Sequence, residues 1–469
     1  MVVPSDPQLP PAVANGRRRW VRTPLAALGI ALASICAALF LLLFLLEWLG
    51  WSANPYFGLV LFIVLPLGFA LGLLLIPIGN LWYRRRPTEA WPRVDFNNPR
   101  HQRVVFLGLL LTCVNVVILA TGAYGAIHYM ETVGFCGQVC HTVMEPYYKA
   151  YQDAPHSRVA CVNCHVGSGA EALVRSKLNG TRQLFLITTG RYARPVPSPV
   201  RTLRPARETC ETCHWSEKMH GDKMRVVREF GNDETNAETV TTLRVHVGGG
   251  SARLGIGTGI HWHMNVSNEV EYIATDPQRQ VIPWIRLRKA DGTVREYRTA
   301  DVSDEVLAKG ERRRMDCMDC HNRPSHTFSA TAERAVDQML AVGRISRALP
   351  YVRRETVAAL KASYDGPLGA ATGIEGHLRN FYAKEFPAVA QASGAAIAQA
   401  VVVARELYDR NVFPDMNITW GTYQNELGHL DFPGCFRCHD DDHKTADGKT
   451  IGQDCDSCHA IEDGDGSSG

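Results

Sequence analysis

The stretch FCGQVCHTVME, Phe135 to Glu145, follows a long apolar segment and holds two cysteines with a histidine directly after the second. Its meaning depends on what the rest of the chain does with the same residue types. Of the 14 cysteines, twelve fall into six close pairs, each followed at once by histidine. They are Cys136-Cys140-His141, Cys161-Cys164-His165, Cys210-Cys213-His214, Cys317-Cys320-His321, Cys435-Cys438-His439 and Cys455-Cys458-His459. Five pairs enclose two residues and the first encloses three; Cys36 and Cys113 stand apart, inside apolar segments.

Cys-x-x-Cys-His is the attachment pattern of c-type haem. Each thiol adds to one vinyl group, so both must reach one edge of the macrocycle while the adjacent histidine turns back to the iron. Tetrahedral zinc would instead want cysteine pairs matched to each other, with no reason for a histidine at a fixed offset. Six covalently bound haem c groups are expected, the extra residue of the first motif bulging out of its loop.

The chain has 469 residues and is 46% hydrophobic, and its formal charge of +3 gives no reason to expect a nucleic-acid partner. Three uncharged runs, Leu25 to Leu46, Tyr56 to Trp82 and Val104 to Ile127, are each long enough to cross a bilayer as a helix. Trp48, Trp51, Tyr56, Trp82 and Tyr83 mark their ends, where aromatic side chains favour the interface. Pro66 and Pro77 are expected to kink the second helix. The first run is too long for a signal-peptide core and two more follow, so it reads as a retained anchor. Arg17, Arg18, Arg19 and Arg22 precede the first span, and Arg84, Arg85, Arg86, Arg93, Arg100 and Arg103 lie between the second and third. Basic segments stay in the cytoplasm, so the third helix exits into the periplasm of a bacterial inner membrane, and all six motifs follow it there.

The fold expected is mainly α: three N-terminal transmembrane helices, then a loop-rich periplasmic multihaem domain with a small β insert. The divisions are a cytoplasmic tail over 1–24, the three-helix membrane anchor over 25–127, a first haem domain over 128–225 with haems 1–3, and a β-rich insert over 226–312. A C-terminal haem domain over 313–463 follows with haems 4–6 and helices, and then a flexible tail over 464–469. The insert rests on alternation in VTTLRVHVGGG and IPWIRLRKADGTVREYR, the latter with an Asp291-Gly292 turn. Residues 329–411 read as alanine-rich helices broken by Gly and Pro. The basic, proline-rich stretch Arg191 to Arg207 reads as an extended connector.

Six haems offer twelve axial positions, of which the motif histidines fill six. His156, His220, His326, His429 and His443 are candidates for the far side of the irons; His220 and His326, just after motif histidines, are expected to serve neighbouring haems rather than their own. His261 and His263 lie two apart and would share a face on a strand; His263 is favoured. Met144 either ligates, which would raise a haem's potential, or packs against a haem edge. His246 and His377 read equally as surface or core histidines, His128 as an interfacial one, and His101 lies on the cytoplasmic side.

The residues from Val104 to His214, including HYMETVGFCGQVCHTVMEPYYKAYQDAPHSRVACVNCHVGSGAEALVRSKLNG, resemble the NapC/NirT family of membrane-anchored multihaem quinol dehydrogenases. CMDCHNRPSHTF and NVFPDMNITWGTYQNELGHLDFPGCFRCHDDDHKTADGKT are similar to the longer inner-membrane cytochromes of metal-reducing bacteria. The resemblance implies oxidation of menaquinol or ubiquinol beside the first haem, with Lys177 at the quinol site. Short relatives carry a carboxylate soon after that lysine; Leu178 to Gly190 contains no acid, and Glu145 or Glu131 is the substitute considered. The expected partners are the bilayer, its quinone pool and a periplasmic c-type cytochrome or reductase, in anaerobic or metal respiration. Two alternatives remain: a terminal reductase of nitrite, hydroxylamine or tetrathionate, and an electron-transfer subunit of a larger, oligomeric respiratory complex.

Overall fold

The computed structural model describes residues 23–49, 55–83, 95–167, 169–200, 205–215, 218–249, 257–265 and 268–462. Arg17 to Arg22, Trp51, Arg84 to Arg93 and the tail 464–469 lie outside the described residues. The chain divides into two compact units, Met1–Val139 and Cys140–Gly469.

Among the described residues of the first unit, three helices are long and apolar enough to cross a membrane, over Pro24–Glu47, Phe57–Leu81 and Pro99–Met130. Helix α1 (Pro24–Trp48) starts at Thr23, whose hydroxyl caps the Ala26 amide. The second span begins as α2 (Pro55–Leu59), widens into a π turn over Val60–Val64 and continues as α3 (Leu65–Tyr83). The π turn abuts Pro66, whose missing N–H leaves a carbonyl of the preceding turn without its usual donor. Pro77 sits inside α3 without ending it. Helix α1 packs on α3 through small residues: a Cβ on Gly72 would sit 2.6 Å from the Ala33 amide nitrogen, and one on Gly29 2.7 Å from the Gly72 carbonyl. Close backbone approach of this kind is how helices associate where lipid removes the hydrophobic drive. Cys36 is buried in that seam with Ala33, Phe40, Leu61, Leu65 and Phe69, so its role is packing. Helix α4 (Pro99–Met130) leaves most of its apolar side chains exposed, Phe106 and Val117 among them, as a lipid-facing helix should. A further π turn, Phe135–Val139, carries Cys136; its wider i→i+5 winding takes up the extra residue of the first motif.

The second unit opens with α5 (His141–Gln152), α6 (Cys161–His165), α7 (Ala170–Thr188) and α8 (Ala206–Cys210). Strands β1 (Asp222–Phe230) and β2 (Glu238–His246) follow as an antiparallel pair. Next come β3 (Asn268–Ala274), β4 (Trp284–Lys289), β5 (Val294–Arg298), α9 (Asp304–Lys309) and β6 (Glu311–Arg314). Helices α10 (Ala332–Ala341), α11 (Val352–Lys361), α12 (Gly366–Glu385), α13 (Pro387–Ala392) and α14 (Gly394–Asn411) form the helical section. The last strand is β7 (His459–Glu462). One sheet runs β1-β2-β7 and the other β5-β4-β3-β6. The β4–β5 hairpin turns at Gly292, whose φ of +82° is the left-handed geometry expected of Asp-Gly.

The largest core lies among α10, α11, α12 and α14, built on Ala335, Val336, Leu360, Ile374, Leu378 and Val403, with Phe230 of β1 closing it. Two smaller cores support the motif-bearing loops. One joins Val143 and Ala150 of α5 to Phe328, Phe413, Met416 and Tyr423; the other joins Val270, Tyr272, Ile285 and Tyr297 of the four-stranded sheet to Ile282 just before β4, with Cys438 packed against it.

Candidate functional site

Motifs with two intervening residues fold as tight turns. The amides of His214, His321 and His439 donate to the carbonyls of Cys210, Cys317 and Cys435 at 2.8, 2.8 and 3.1 Å. Those of Cys213, Cys438 and Cys458 reach back three residues to Cys210, Cys435 and Cys455 at 3.1, 3.2 and 3.0 Å. In 3₁₀-like winding, residues three apart eclipse, so the two thiols come to one side and the histidine closes the turn.

Five motif histidines each face a second histidine from another segment. Ring centres are 6.1 Å apart for His165 and His326, 6.0 Å for His214 and His156, and 6.1 Å for His321 and His261. They are 5.9 Å apart for His439 and His263 and 6.1 Å for His459 and His429. A metal–imidazole bond is about 2.0 Å and the ring nitrogen lies roughly 1 Å from the ring centre, so two imidazoles on opposite faces of one metal have centres roughly 6 Å apart. All five pairs meet that requirement.

Hydrogen bonds orient these rings for ligation. The Nδ1–H groups of His156, His261 and His263 donate to the carbonyls of Pro324, Val247 and Ile260 at 3.0, 3.0 and 2.9 Å. Those of His326 and His439 donate to Tyr147 and Gly452 at 3.2 and 3.0 Å. A carbonyl only accepts, so each of these rings carries its proton on Nδ1 and keeps a lone pair on Nε2 for a metal. Burial pushes the imidazole pKa of His165, His263 and His326 down, the last to about 4, which favours the neutral, ligating form. The Nδ1 of His459 is buried without a hydrogen-bond partner among the described residues, while His429 stacks on Phe436 at 4.2 Å. Among the described residues no group of three or more His, Cys, Asp or Glu gathers into a closed metal site. A zinc site needs such a group, whereas a haem needs only an axial pair and its cysteines. The residues present therefore fit haem c.

The motifs also adjoin one another. Cys164 lies within electrostatic reach of Cys210, and the Cys210 thiol hydrogen-bonds Cys317. Cys320 lies within electrostatic reach of Cys435 and Cys438, and Cys435 within reach of Cys458. Burial pushes the thiol of Cys438 up to about 12.

The other expected residues have different surroundings. His220 is exposed. His443 is buried, with Nδ1 2.8 Å from Asp440 Oδ1 and Nε2 2.6 Å from the Ile282 carbonyl, so both ring nitrogens are engaged. His246 bonds Asp222 and His377 bonds Glu355, each at 2.9 Å. His128 stacks on Tyr124, and the Asp95 amide donates to His101. Met144 packs, half-buried, against the core around Phe328 and Phe413. The side chain of His141 lies outside the described residues. Glu145 is exposed and ion-paired with Lys149 at 2.9 Å. Glu131 ends α4 as its C-terminal cap. Lys177 is half-buried near the middle of α7, a helix on which Val174, Leu178, Leu184 and Phe185 are exposed by 60, 69, 60 and 58%. The pair His261–His321 was not anticipated from sequence: the HWHM stretch is a 3₁₀ turn, Ile260–Met264, in which two rings two residues apart serve different partners.

Comparison with known proteins finds c-type cytochromes. The model of the NapC/NirT cytochrome c family, N-terminal region, matches residues 98–196. The chain is 40% identical over 451 residues to "Cytochrome c-type protein ImcH" of Geobacter sulfurreducens, covering 94% of this chain and 88% of that protein. No solved structure matches. With three apolar N-terminal helices ahead of its cysteine motifs, the chain belongs to the NapC/NirT family of c-type cytochromes, an inner-membrane electron-transport protein with covalently bound haem c on the periplasmic side.

Proposed function

We propose that this cytochrome oxidises quinol at the membrane surface and relays the electrons through six haems to a soluble periplasmic cytochrome or reductase. Haem c, once attached, supplies one-electron redox chemistry at a potential tuned by its axial ligands. The observation that carries the reading is the set of five paired imidazoles at 5.9–6.1 Å. Such pairs would supply histidine to both faces of five haem irons and leave those five no open position, which suits electron transfer rather than reduction of a small molecule. The Cys210–Cys317 hydrogen bond, and the electrostatic reach of Cys164 to Cys210, Cys320 to Cys435 and Cys435 to Cys458, support a relay that runs in sequence order from the second haem to the sixth.

At the input end, His141 anchors the first haem, and Met144 follows it by one helical turn on α5. Helix α7, with exposed Val174, Leu178, Leu184 and Phe185 beside Arg175 and Arg182, has the composition of a helix that rests at a lipid boundary. Lys177 on that helix hydrogen-bonds the quinol oxygen, and Glu145, held by Lys149, takes up a proton. Quinol gives up two electrons and two protons; the protons leave to periplasmic water.

The test is anaerobic addition of menaquinol to the purified, detergent-solubilised holoprotein. The c-type absorption bands should appear as quinol is oxidised, and Lys177→Ala should slow that reduction on the order of a hundredfold while reduction by dithionite is unchanged. A protein fully reduced by dithionite but untouched by menaquinol would refute the reading.

A further inference from the structure

We propose that the turn His261-Trp262-His263 is a dual-ligand clip: His261 completes the iron held by His321 and His263 the iron held by His439, making the fourth and fifth haems one closely coupled two-iron unit. This rests on the haem-ligation reading of those two motifs and adds an assignment of which segment joins them.

Three observations converge on it. The first is the turn. Ile260–Met264 is 3₁₀-helical, with a rise of about 2 Å per residue, so the two histidines start only about 4 Å apart along the axis. Their rings nonetheless meet different partners, His321 at 6.1 Å and His439 at 5.9 Å. Both Nδ1 protons are used on carbonyls, of Val247 and Ile260, so both Nε2 atoms are left for metal.

The second is the way the two motifs interlock through their intervening residues. Arg437, between Cys435 and Cys438, donates to the carbonyl of Asp319, between Cys317 and Cys320, at 2.6 Å. Arg437 is itself buried against Glu426 at 3.0 Å and donates to the carbonyls of Gly434 and Arg279 at 2.9 and 3.0 Å. Asp319 is buried too, accepting from the Tyr272 hydroxyl and from the Asp316 amide at 2.7 Å. Cys320 lies within electrostatic reach of Cys435 and Cys438, which places the two attachment turns near one another.

The third is the mounting of the turn. Gly259 enters it at a φ of +73°, where an added Cβ would collide with the His246 carbonyl, so glycine is required there. The Val247 carbonyl accepts from both the His261 amide and its ring, at 3.1 and 3.0 Å. The Asn268 side chain holds the Trp262 carbonyl at 3.0 Å. The clip is thus tied to the end of β2 and to the start of β3, which are rigid elements of the insert.

The experiment uses the full-length holoprotein and the variants His261→Ala, His263→Ala and the double. Peptide mass mapping first establishes that haem remains attached at Cys317/Cys320 and Cys435/Cys438. Electron paramagnetic resonance of the oxidised protein should then show one new high-spin haem per molecule in each single variant and two in the double. Added imidazole should return them to low spin. Attached haems that stay low-spin in either single variant would overturn the clip while leaving haem attachment intact; absence of adducts at those cysteines would instead overturn the underlying reading. If an alanine variant does not accumulate, His261→Met or His263→Met should keep the iron six-coordinate and raise the potential of one haem. Unchanged potentials in those methionine variants would count equally against it.

Discussion

His326 follows the fourth motif by five residues yet its ring faces His165 of the second, and His156 precedes the second motif yet faces His214 of the third. A tight motif turn projects its own histidine at one face of the macrocycle, so nearby residues on the same loop are carried away from the opposite face. The same local logic makes Arg437 a structural pivot. With side-chain exposures of 7 and 4%, Arg437 and Glu426 form a buried ion pair, and Arg437 also satisfies three carbonyls. Removing one partner of such a pair leaves a buried charge and costs about 3–5 kcal/mol. Arg437→Met should therefore lower the temperature at which the periplasmic fold is lost, followed by circular dichroism of the holoprotein. Arg437→Lys should not restore it, because an ammonium cannot span the fork of carbonyls. A melting temperature unchanged by either substitution would contradict this role. At this scale the cysteine motifs were legible because their spacing is covalent chemistry. His156, His263, His326 and His429, named from sequence, all face motif histidines. His261 stands second to His263 on sequence grounds because its partner is chosen by the 3₁₀ winding of Ile260–Met264, which HWHM does not announce. His443 shows the converse: a histidine beside a motif whose buried ring is consumed by Asp440 and the Ile282 carbonyl.

At the scale of elements, the three membrane helices were legible from uncharged length alone, and the β4–β5 hairpin from its Asp-Gly turn. The seam between α1 and α3 was not, since glycines in an apolar run carry no periodic signal until a neighbour is known. Its geometry gives a sharp expectation. Gly72→Leu would drive a side chain into the Ala33 backbone and should destabilise the anchor by about 1–3 kcal/mol. Gly108→Leu on α4, where an added Cβ meets nothing within 4 Å, should have no such effect. Thermal unfolding of the detergent-solubilised protein separates them; equal stability of the two variants would mean that α1 and α3 do not pack through this seam. The pairing of β7 with β2 was equally hidden, because the register Val245↔His459 joins residues more than two hundred positions apart. That pairing ties the sixth motif to the insert, with the His246 amide donating to the Cys458 carbonyl at 2.9 Å.

At the scale of the molecule, the periplasmic unit carries one well-filled helical core, in α10 to α14, and much smaller clusters around the motifs. Loops of that kind are expected to be organised by what they bind, because ligation free energy becomes folding free energy when the site exists only in the folded state. The relay proposed here needs a haem at every one of the six motifs, including the first, where a π turn accommodates the additional residue. Intact-mass spectrometry of the mature protein tests this most directly. The expected mass equals the polypeptide plus six haems, with peptide adducts at all six cysteine pairs. A mature protein lacking haem at Cys136/Cys140, or carrying adducts at only one or two pairs, would contradict it.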